Sequence, residues 1–224
     1  MAISPLASAI TAKSWLVADD RGQIIQGENT KEVRPIASIS KLMTVMVVLD
    51  AKQDLNERIG KFTRAELIQL AIVRSDNAAA KELCINYVGG ERNCVKAMNY
   101  KAKFLGLTNT QFVEPTGLSV FNLSTAEELI KLVQEAHNYK EIVEASKMAQ
   151  VKIRIKKKWL IFNNTNPIIG KNQNVLVSKT GFINASGGCI VMLLDTDIGR
   201  RIVVVLGSRN TRTRIPEAEF ISKM

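Results

Sequence analysis

The sequence predicts an α+β fold in which strands from both chain ends form one mostly antiparallel sheet, flanked by helices, with a helical lobe inserted. Strand patterns lie near both ends, and helical periodicity fills the middle. No repeat or linker divides the 224 residues, of which 46% are hydrophobic and 23% charged. We therefore expect one globular domain over residues 1–224, with its helical lobe at about 60–145.

The elements of the first half follow from turn and helix signals. Residues 14–18 and 23–26 are typical of two strands joined by a turn at residues 19–22. A helix begins after Pro35 and extends to about Ala51. Three further helical patterns precede Gly106, which occupies the position after a helix C-terminus; they cover residues 64–73, 78–87 and 91–105.

The second half returns to strands after one more helix. Ser124 to Glu127 form a capping box that predicts a helix to about His137. His137, the single histidine, would lie in its last turn, where a cation suits the helix dipole, so we expect a structural role. Strand patterns follow, and a short helix ends the chain; the strands cover residues 151–162, 175–179, 189–194 and 201–206, and the helix 217–223.

The net charge of +10 favours contact with anionic surfaces. Cations concentrate at residues 152–158, where they alternate with Val151, Ile153 and Ile155. We interpret this stretch as the solvated face of a β-ribbon, with a dedicated binding patch as the alternative. No nucleic-acid motif accompanies it, so a nucleic-acid partner is not expected. The longest apolar stretch is far shorter than the roughly 20 residues that a membrane span requires.

The N-terminus and the cysteines bear on export and on disulfide formation. Residues 3–12 are apolar, but no positive region precedes them, so we expect no intact secretory signal. Cys84, Cys94 and Cys189 lie in apolar or helical runs, and we expect buried free thiols. A disulfide between Cys84 and Cys94 is the alternative.

Three short motifs indicate the chemistry. They are Ser38-Ile39-Ser40-Lys41, Ser75-Asp76-Asn77 and Lys179-Thr180-Gly181. Each alone is a weak signal, since a serine can cap a helix and a Lys-Thr-Gly run can end a strand. Together they occur in order: the first opens a helix, the second lies between helices, and the third ends a strand. This set is a known signature of penicillin-binding proteins and class A β-lactamases.

The residue types in these three motifs suit catalysis by a serine nucleophile. Positions three apart share a helix face, so Ser38 and Lys41 can meet. Burial on an apolar helix, together with the charge of Lys179, would lower the pKa of Lys41 and let it take the serine proton. Ser75 could pass that proton to the leaving nitrogen, and Asn77 could hold the substrate backbone. Lys179, Thr180 and Gly181 could align the substrate as an added strand.

The chain resembles the low-molecular-mass penicillin-binding proteins, the D-alanyl-D-alanine carboxypeptidase and endopeptidase group, over nearly its whole length. Residues 34–44 match the nucleophile segment of that family, residues 112–118 and 124–126 match later segments, and residues 206–208 lead to Arg214 as in its last strand. The resemblance implies a β-lactamase/transpeptidase-like fold. It also implies an oxyanion hole from the backbone N–H groups of Ser38 and Phe182, and substrate-carboxylate binding by Arg214. The alternative for Arg214 is a surface arginine.

The resemblance further implies peptidoglycan peptides and β-lactam antibiotics as partners, periplasmic or other extracytoplasmic action, and a monomer. Family carboxypeptidases usually have a second, β-rich domain and an amphipathic C-terminal anchor, for which this chain has no matching residues. We therefore favour the short endopeptidase branch or a phage-encoded form. No metal cluster, phosphate loop or dinucleotide motif is present, so no cofactor is expected.

Two rival functions share these motifs. A serine β-lactamase of class A would need a Glu-x-x-Leu-Asn segment for deacylation, which the sequence lacks. A non-catalytic peptidoglycan- or penicillin-binding protein would not require the complete set of Ser38, Lys41, Ser75, Asn77 and Lys179. The sequence thus favours a serine DD-peptidase, and leaves open whether it trims terminal D-alanine or cuts cross-links.

Overall fold

The computed structural model describes residues 10–171 and 174–224, and the predicted α+β class is confirmed. A 3₁₀ turn at Ala37–Ile39 precedes the first α-helix, and a π-helical turn at Leu70–Arg74 follows the second. The elements in chain order are β1 (Ser14–Asp19), β2 (Ile24–Glu28), β3 (Arg34–Pro35), α1 (Ser40–Asp50), β4 (Arg58–Ile59), β5 (Phe62–Thr63), α2 (Arg64–Gln69), α3 (Asn77–Ile85), α4 (Gly90–Phe104), β6 (Leu123–Ser124), α5 (Ala126–Ala136), α6 (Lys140–Lys147), β7 (Gln150–Ile155), β8 (Lys158–Asn163), β9 (Asn174–Ile183), β10 (Gly187–Thr196), β11 (Gly199–Ser208) and α7 (Arg214–Ile221).

The central sheet joins the two ends of the chain, as predicted. Its order is β2-β1-β11-β10-β9, and every neighbouring pair is antiparallel. Ser14 of β1 pairs with Leu206 of β11. β9 therefore lies at one edge of the sheet, where its outer side is free of a further strand within the described residues.

Both faces of the sheet are covered, each by its own hydrophobic core. Successive strand residues point to opposite sides, so neighbours in a strand belong to different cores. Leu16, Val191 and Val204 belong to the larger core, which includes α1, α4 and α5. Trp15 and Val203 belong to a smaller core beneath α7. The strands consequently consist of nearly continuous apolar runs instead of strict alternation.

Helix α1 crosses the middle of the larger core. Every residue from Ser40 to Val48 is buried, as expected for a helix that is apolar nearly all round. The few polar side chains on this helix include Lys41 and Thr44. Thr44 donates to the Pro115 carbonyl, 2.7 Å away, so it has a local partner. The burial of Lys41 therefore needs a separate explanation, which its polar neighbours provide.

Several boundaries differ from the predictions. The capping residue of α5 is Thr125, whose hydroxyl accepts from the Glu128 N–H at 3.1 Å, and Ser124 belongs to β6. The strand pattern at 151–162 is a hairpin of β7 and β8, interrupted where Lys156 adopts a positive φ of 54°. Helix α6 was not predicted, since its exposed side is strongly polar and only a narrow apolar stripe is buried.

His137 lies at the C-terminal end of α5, as predicted. Burial and the nearby Arg200 and Lys147 lower the pKa of His137. The positively charged imidazole that would stabilise the helix C-terminus is therefore disfavoured.

The prediction of free thiols is wrong for two of the three cysteines. Cys84 on α3 and Cys94 on α4 form a disulfide, with their Cα atoms 5.3 Å apart. Neighbouring helices bring them together, a proximity that a sequence pattern does not reveal. Cys189 is free and buried, as predicted.

The described helices include none long and apolar enough to cross a membrane. The expectation about a secretory signal falls mostly on residues 1–9, which lie outside the described residues.

Candidate active site

Ser38 lies in the 3₁₀ turn directly before α1. The preceding Ala37 has a positive φ of 48°, an unusual conformation for a residue with a side chain, and strained backbone of this kind is common at functional sites. Lys41 follows one helical turn later, and its Nζ is 2.7 Å from the Ser38 Oγ. The predicted meeting of these two side chains on one helix face is confirmed.

The Lys41 ammonium group is surrounded by oxygen atoms. Nζ lies 2.8 Å from the Asn77 Oδ1, 2.9 Å from the Thr116 carbonyl oxygen and 3.4 Å from the Ser75 Oγ. These partners come from two separate segments of the chain, residues 75–77 and the loop that contains Thr116. A buried amine needs such partners, because an unsatisfied polar group in the core costs about 1–3 kcal/mol.

Burial lowers the pKa of Lys41 to about 8. Charges on Glu114 and Asp76 oppose this shift. The predicted direction is therefore correct, and desolvation is its main cause, whereas the expected effect of a Lys179 charge is not among the causes of the shift. At neutral pH a pKa near 8 leaves about one tenth of Lys41 uncharged, far more than for an exposed lysine.

Ser75 connects the two lysines of the site. It adopts a left-handed conformation with φ of 58°, directly after the π-helical turn at Leu70–Arg74. Its Oγ accepts from the Lys179 Nζ at 2.8 Å. Asp76 then caps α3 by accepting from the Ala79 N–H at 2.8 Å, which places Asn77 in the first turn. The irregular backbone thus turns both Ser75 and Asn77 towards Lys41.

Lys179 is buried in β9, and its Nζ also donates to the Thr180 carbonyl at 2.8 Å. Burial lowers its pKa well below the usual range, and the charges of Lys41 and Arg214 act in the same direction. The Thr180 and Thr165 hydroxyls lie 2.6 Å apart.

Gly181 packs against the 3₁₀ turn that contains Ser38. A Cβ at this position would be 2.9 Å from the Ser38 backbone nitrogen. A side chain at this position would therefore collide with the backbone before α1.

Phe182 and Arg214 complete the predicted set. Phe182 pairs with Gly188 near the end of β9, and its side chain is 41% exposed. Arg214 is only 8% exposed, so it is not a surface arginine. Its Nη1 donates to the Gly181 carbonyl at 2.7 Å, and burial lowers its pKa. Its Nε has no partner within the described residues.

Two contributors to the site were given no site role from the sequence alone. The loop at residues 114–119 is held by the Glu114 carboxylate, which accepts from the N–H groups of Thr116 and Gly117 at 2.6 and 2.7 Å. Gly117 has φ of 89°, and a Cβ there would overlap the Ala37 carbonyl. Glu114 is therefore structural, and its loop supplies the carbonyl that binds Lys41. Thr165 is the other contributor. The Pro-Thr-Gly run signalled the first contributor, but no comparable signal marked Thr165.

Comparisons with known proteins agree with this geometry. A family model described as D-alanyl-D-alanine carboxypeptidase matches residues 1–59 and 55–210. The chain is 38% identical to the D-alanyl-D-alanine endopeptidase of Pseudomonas aeruginosa, with 96% of this chain and 77% of that protein covered. It is 39% identical to the D-alanyl-D-alanine endopeptidase of Escherichia coli, with 85% and 72% covered.

A solved structure has the same fold. Penicillin-binding protein D2 from Listeria monocytogenes, in its ampicillin-bound form, superposes with a TM-score of 0.86 at 25% identity. The superposition covers 96% of each chain. The predicted transpeptidase-like fold is thereby confirmed.

Proposed function

Because this chain belongs to the D-alanyl-D-alanine carboxypeptidase family and is a serine-type DD-peptidase, we propose that Ser38 is its acylated nucleophile and Lys41 the general base. The observation that carries this proposal is the 2.7 Å separation between the Ser38 Oγ and the Nζ of a buried lysine. The proposed mechanism requires no side chain from a second copy, and we propose a monomeric enzyme.

The hydrogen-bond count at Lys41 suits a neutral amine. A neutral amine has two N–H donors and one lone pair. The two donors serve the Asn77 Oδ1 and the Thr116 carbonyl, 2.8 and 2.9 Å away. The lone pair then faces the Ser38 hydroxyl, which donates its proton as the oxygen attacks the substrate carbonyl.

Ser75 takes the proton onward to the leaving nitrogen. Its Oγ is 3.4 Å from the Lys41 Nζ and 2.8 Å from the Lys179 Nζ, so it bridges both amines. In our proposal the proton taken from Ser38 reaches the amine of the departing residue through the Ser75 hydroxyl, and a water molecule later hydrolyses the ester. The hydrogen bond from the Lys179 Nζ, 2.8 Å long, keeps the relay hydroxyl oriented.

The substrate peptide lies along the free edge of β9. Edge strands can accept an extended peptide as an additional strand. In this arrangement the backbone N–H groups of Ser38 and Phe182 stabilise the oxyanion, and loss of one such donor costs about 3 kcal/mol in comparable enzymes. Thr180 and Arg214 bind the terminal carboxylate of the substrate, and the contact of Arg214 with the Gly181 carbonyl supports its placement beside β9.

Peptidoglycan cross-links are the substrate that we favour. Both curated relatives cited above are named D-alanyl-D-alanine endopeptidases. We accordingly propose endopeptidase activity in an extracytoplasmic compartment, with β-lactams as covalent inhibitors. The Cys84–Cys94 disulfide supports an oxidising compartment, because such bonds are rare in most reducing cytoplasms.

Covalent labelling tests the nucleophile. Benzylpenicillin should add one penicilloyl group to the tryptic peptide that contains Ser38, and Ser38→Ala should abolish the label. Ser40→Ala is the matched control, because Ser40 lies in the same peptide and should leave labelling in place. Labelling that persists in Ser38→Ala would contradict the assignment.

The fate of the acyl-enzyme separates this proposal from a β-lactamase. No Glu-x-x-Leu-Asn segment supplies a deacylating base, and Glu114 is engaged by its own loop. The penicilloyl-enzyme should therefore persist for minutes or longer, as mass spectra recorded after removal of free drug will show. Recovery of unmodified enzyme within seconds would favour a β-lactamase. Digestion of defined cross-linked and uncross-linked muropeptides, with products identified by mass, distinguishes endopeptidase from carboxypeptidase activity.

A further inference from the structure

The β7–β8 hairpin presents two different faces. On one face Val151 and Ile153 are buried against the core. On the other, Lys152 pairs with Ile161 and Arg154 pairs with Trp159. Directly opposite residues of antiparallel strands share a face, so two cations and two large apolar side chains project outwards together.

Positive charge is concentrated here without compensation. The hairpin holds five cations and no acidic residue, against a net charge of +10 for the whole chain; they are Lys152, Arg154, Lys156, Lys157 and Lys158. All five are exposed. None forms an ion pair or hydrogen bond through its side chain within residues 10–171 and 174–224, whereas Lys81, Lys101 and Arg200 do elsewhere on the surface.

The apolar side chains are as unusual as the charges. Trp159 is 62% exposed and Ile161 is 56% exposed, although both are large enough to contribute strongly to a core. Neighbouring exposed apolar residues are costly in water and commonly mark an interaction site. A hydrated polyanion would require only the cations. The presence of tryptophan and isoleucine on the same face favours a partner with both an anionic surface and an apolar interior.

We propose that the β7–β8 hairpin docks on an anionic phospholipid membrane, with the lysines at the phosphates and Trp159 at the level of the headgroups. Tryptophan prefers this interface, and isoleucine can enter the acyl boundary beside it. Long basic side chains extend towards the phosphates while their methylene stems stay in apolar surroundings. The proposal is independent of the catalytic assignment.

Docking would orient the catalytic groove, which is the cleft between Ser38 and the edge of β9, relative to the membrane. The hairpin packs on the π-helical turn at Leu70–Arg74, which ends at Ser75. Thr165, whose hydroxyl contacts Thr180, is six residues after Trp159 in the chain. Six extended residues span at most about 21 Å, so a bound hairpin keeps the groove close to the lipid surface.

Vesicle sedimentation tests the charge contribution. The protein should bind vesicles containing phosphatidylglycerol and not vesicles of phosphatidylcholine alone, and binding should weaken as salt is added. Each lysine near an anionic surface strengthens binding by about fivefold, so Lys156→Gln/Lys157→Gln/Lys158→Gln should lower the affinity about a hundredfold. The matched control is Lys96→Gln/Lys103→Gln/Lys131→Gln, which removes three exposed lysines elsewhere. An equal loss in the control would overturn the proposal, because net charge and not the hairpin would then be responsible.

Tryptophan fluorescence tests the apolar contribution. The chain has two tryptophans, and Trp15 is 5% exposed, so any change on binding arises from Trp159. Emission should move to shorter wavelength with anionic vesicles, and Trp159→Ser should abolish the shift and weaken sedimentation. An unchanged spectrum in the vesicle-bound protein would overturn insertion. Retention by purified peptidoglycan or by DNA, with no vesicle binding, would overturn the lipid partner.

Discussion

Two lysine-rich regions of the molecule have opposite surroundings. In the active site, Lys41 and Lys179 are buried, and each has two or more oxygen partners within 3 Å. In the β7–β8 hairpin, Lys152 and Lys156 to Lys158 are exposed and have no side-chain partner among the described residues. Lys179 of β9 and Lys152 of β7 both lie in β-strands.

The difference shows that local sequence does not determine what a lysine does. Burial changes the protonation of Lys41 and Lys179, because it disfavours the charged form. Exposure leaves a lysine hydrated and available to anions at long range. We propose that the first environment produces a base and the second a contact surface.

The largest expected effect comes from Lys41→Arg. Arginine stays charged and cannot accept the Ser38 proton, so acylation by benzylpenicillin should fall by about 10³- to 10⁴-fold. Lys157→Arg in the hairpin is the matched control and should acylate normally. Thermal melting must show that Lys41→Arg still folds. Near-normal acylation in a folded Lys41→Arg enzyme would remove Lys41 from the role of base.

Arg214→Ala tests whether a buried cation binds substrate. A charge-assisted contact with the substrate carboxylate is worth about 2–3 kcal/mol, so kcat/KM for small D-Ala-D-Ala peptides should fall by about a hundredfold. Arg212→Ala changes an exposed arginine two residues earlier and should have little effect. If the two variants behave alike, the carboxylate is bound by other groups.

A pH profile tests the protonation of Lys41. Burial lowers its pKa to about 8, and the neutral form is the reactive one, so the acylation rate should rise with pH. From pH 7 to pH 9 the neutral fraction grows about tenfold, with a plateau above. Stopped-flow acylation with a β-lactam that does not titrate in this range gives the profile. A flat or falling rate would show that Lys41 is not the titrating base.

The smallest expected effect is that of the hairpin on catalysis. Lys156→Gln/Lys157→Gln/Lys158→Gln removes exposed charges outside the groove, so benzylpenicillin acylation in solution should change by less than about twofold. Acylation rates without vesicles provide the measurement. A large loss would mean that the two regions are not functionally separate.

The sequence was sufficient for the fold class, for a sheet built from both chain ends and for the three motifs. These features depend on local periodicity and on spacing along one helix, as for Ser38 and Lys41. The proximity of Lys179 to Lys41 was also expected, and the Ser75 hydroxyl lies between their two amines.

The remaining features depend on packing between distant segments. The Cys84–Cys94 bond arises where two helices meet, and the Thr116 carbonyl reaches Lys41 only because Glu114 shapes its loop. The hydroxyl of Thr165, in the loop after β8, meets that of Thr180 in β9. Helix α6 was missed because its buried stripe is narrow. A single sequence can suggest such contacts but does not determine them.

The pairing of β1 with β11 also determines when the enzyme becomes active. During synthesis, β1 pairs only with β2 until the last strands leave the ribosome, because its other neighbour is β11. Pairing between chain ends closes a long loop and is intrinsically slow. The edge of β9 depends on β10, and β10 depends on β11, so the cleft beside Ser38 is completed last. The time at which a refolding chain begins to react with penicillin should therefore report the final step of folding. Pulses of labelled drug during refolding would measure it.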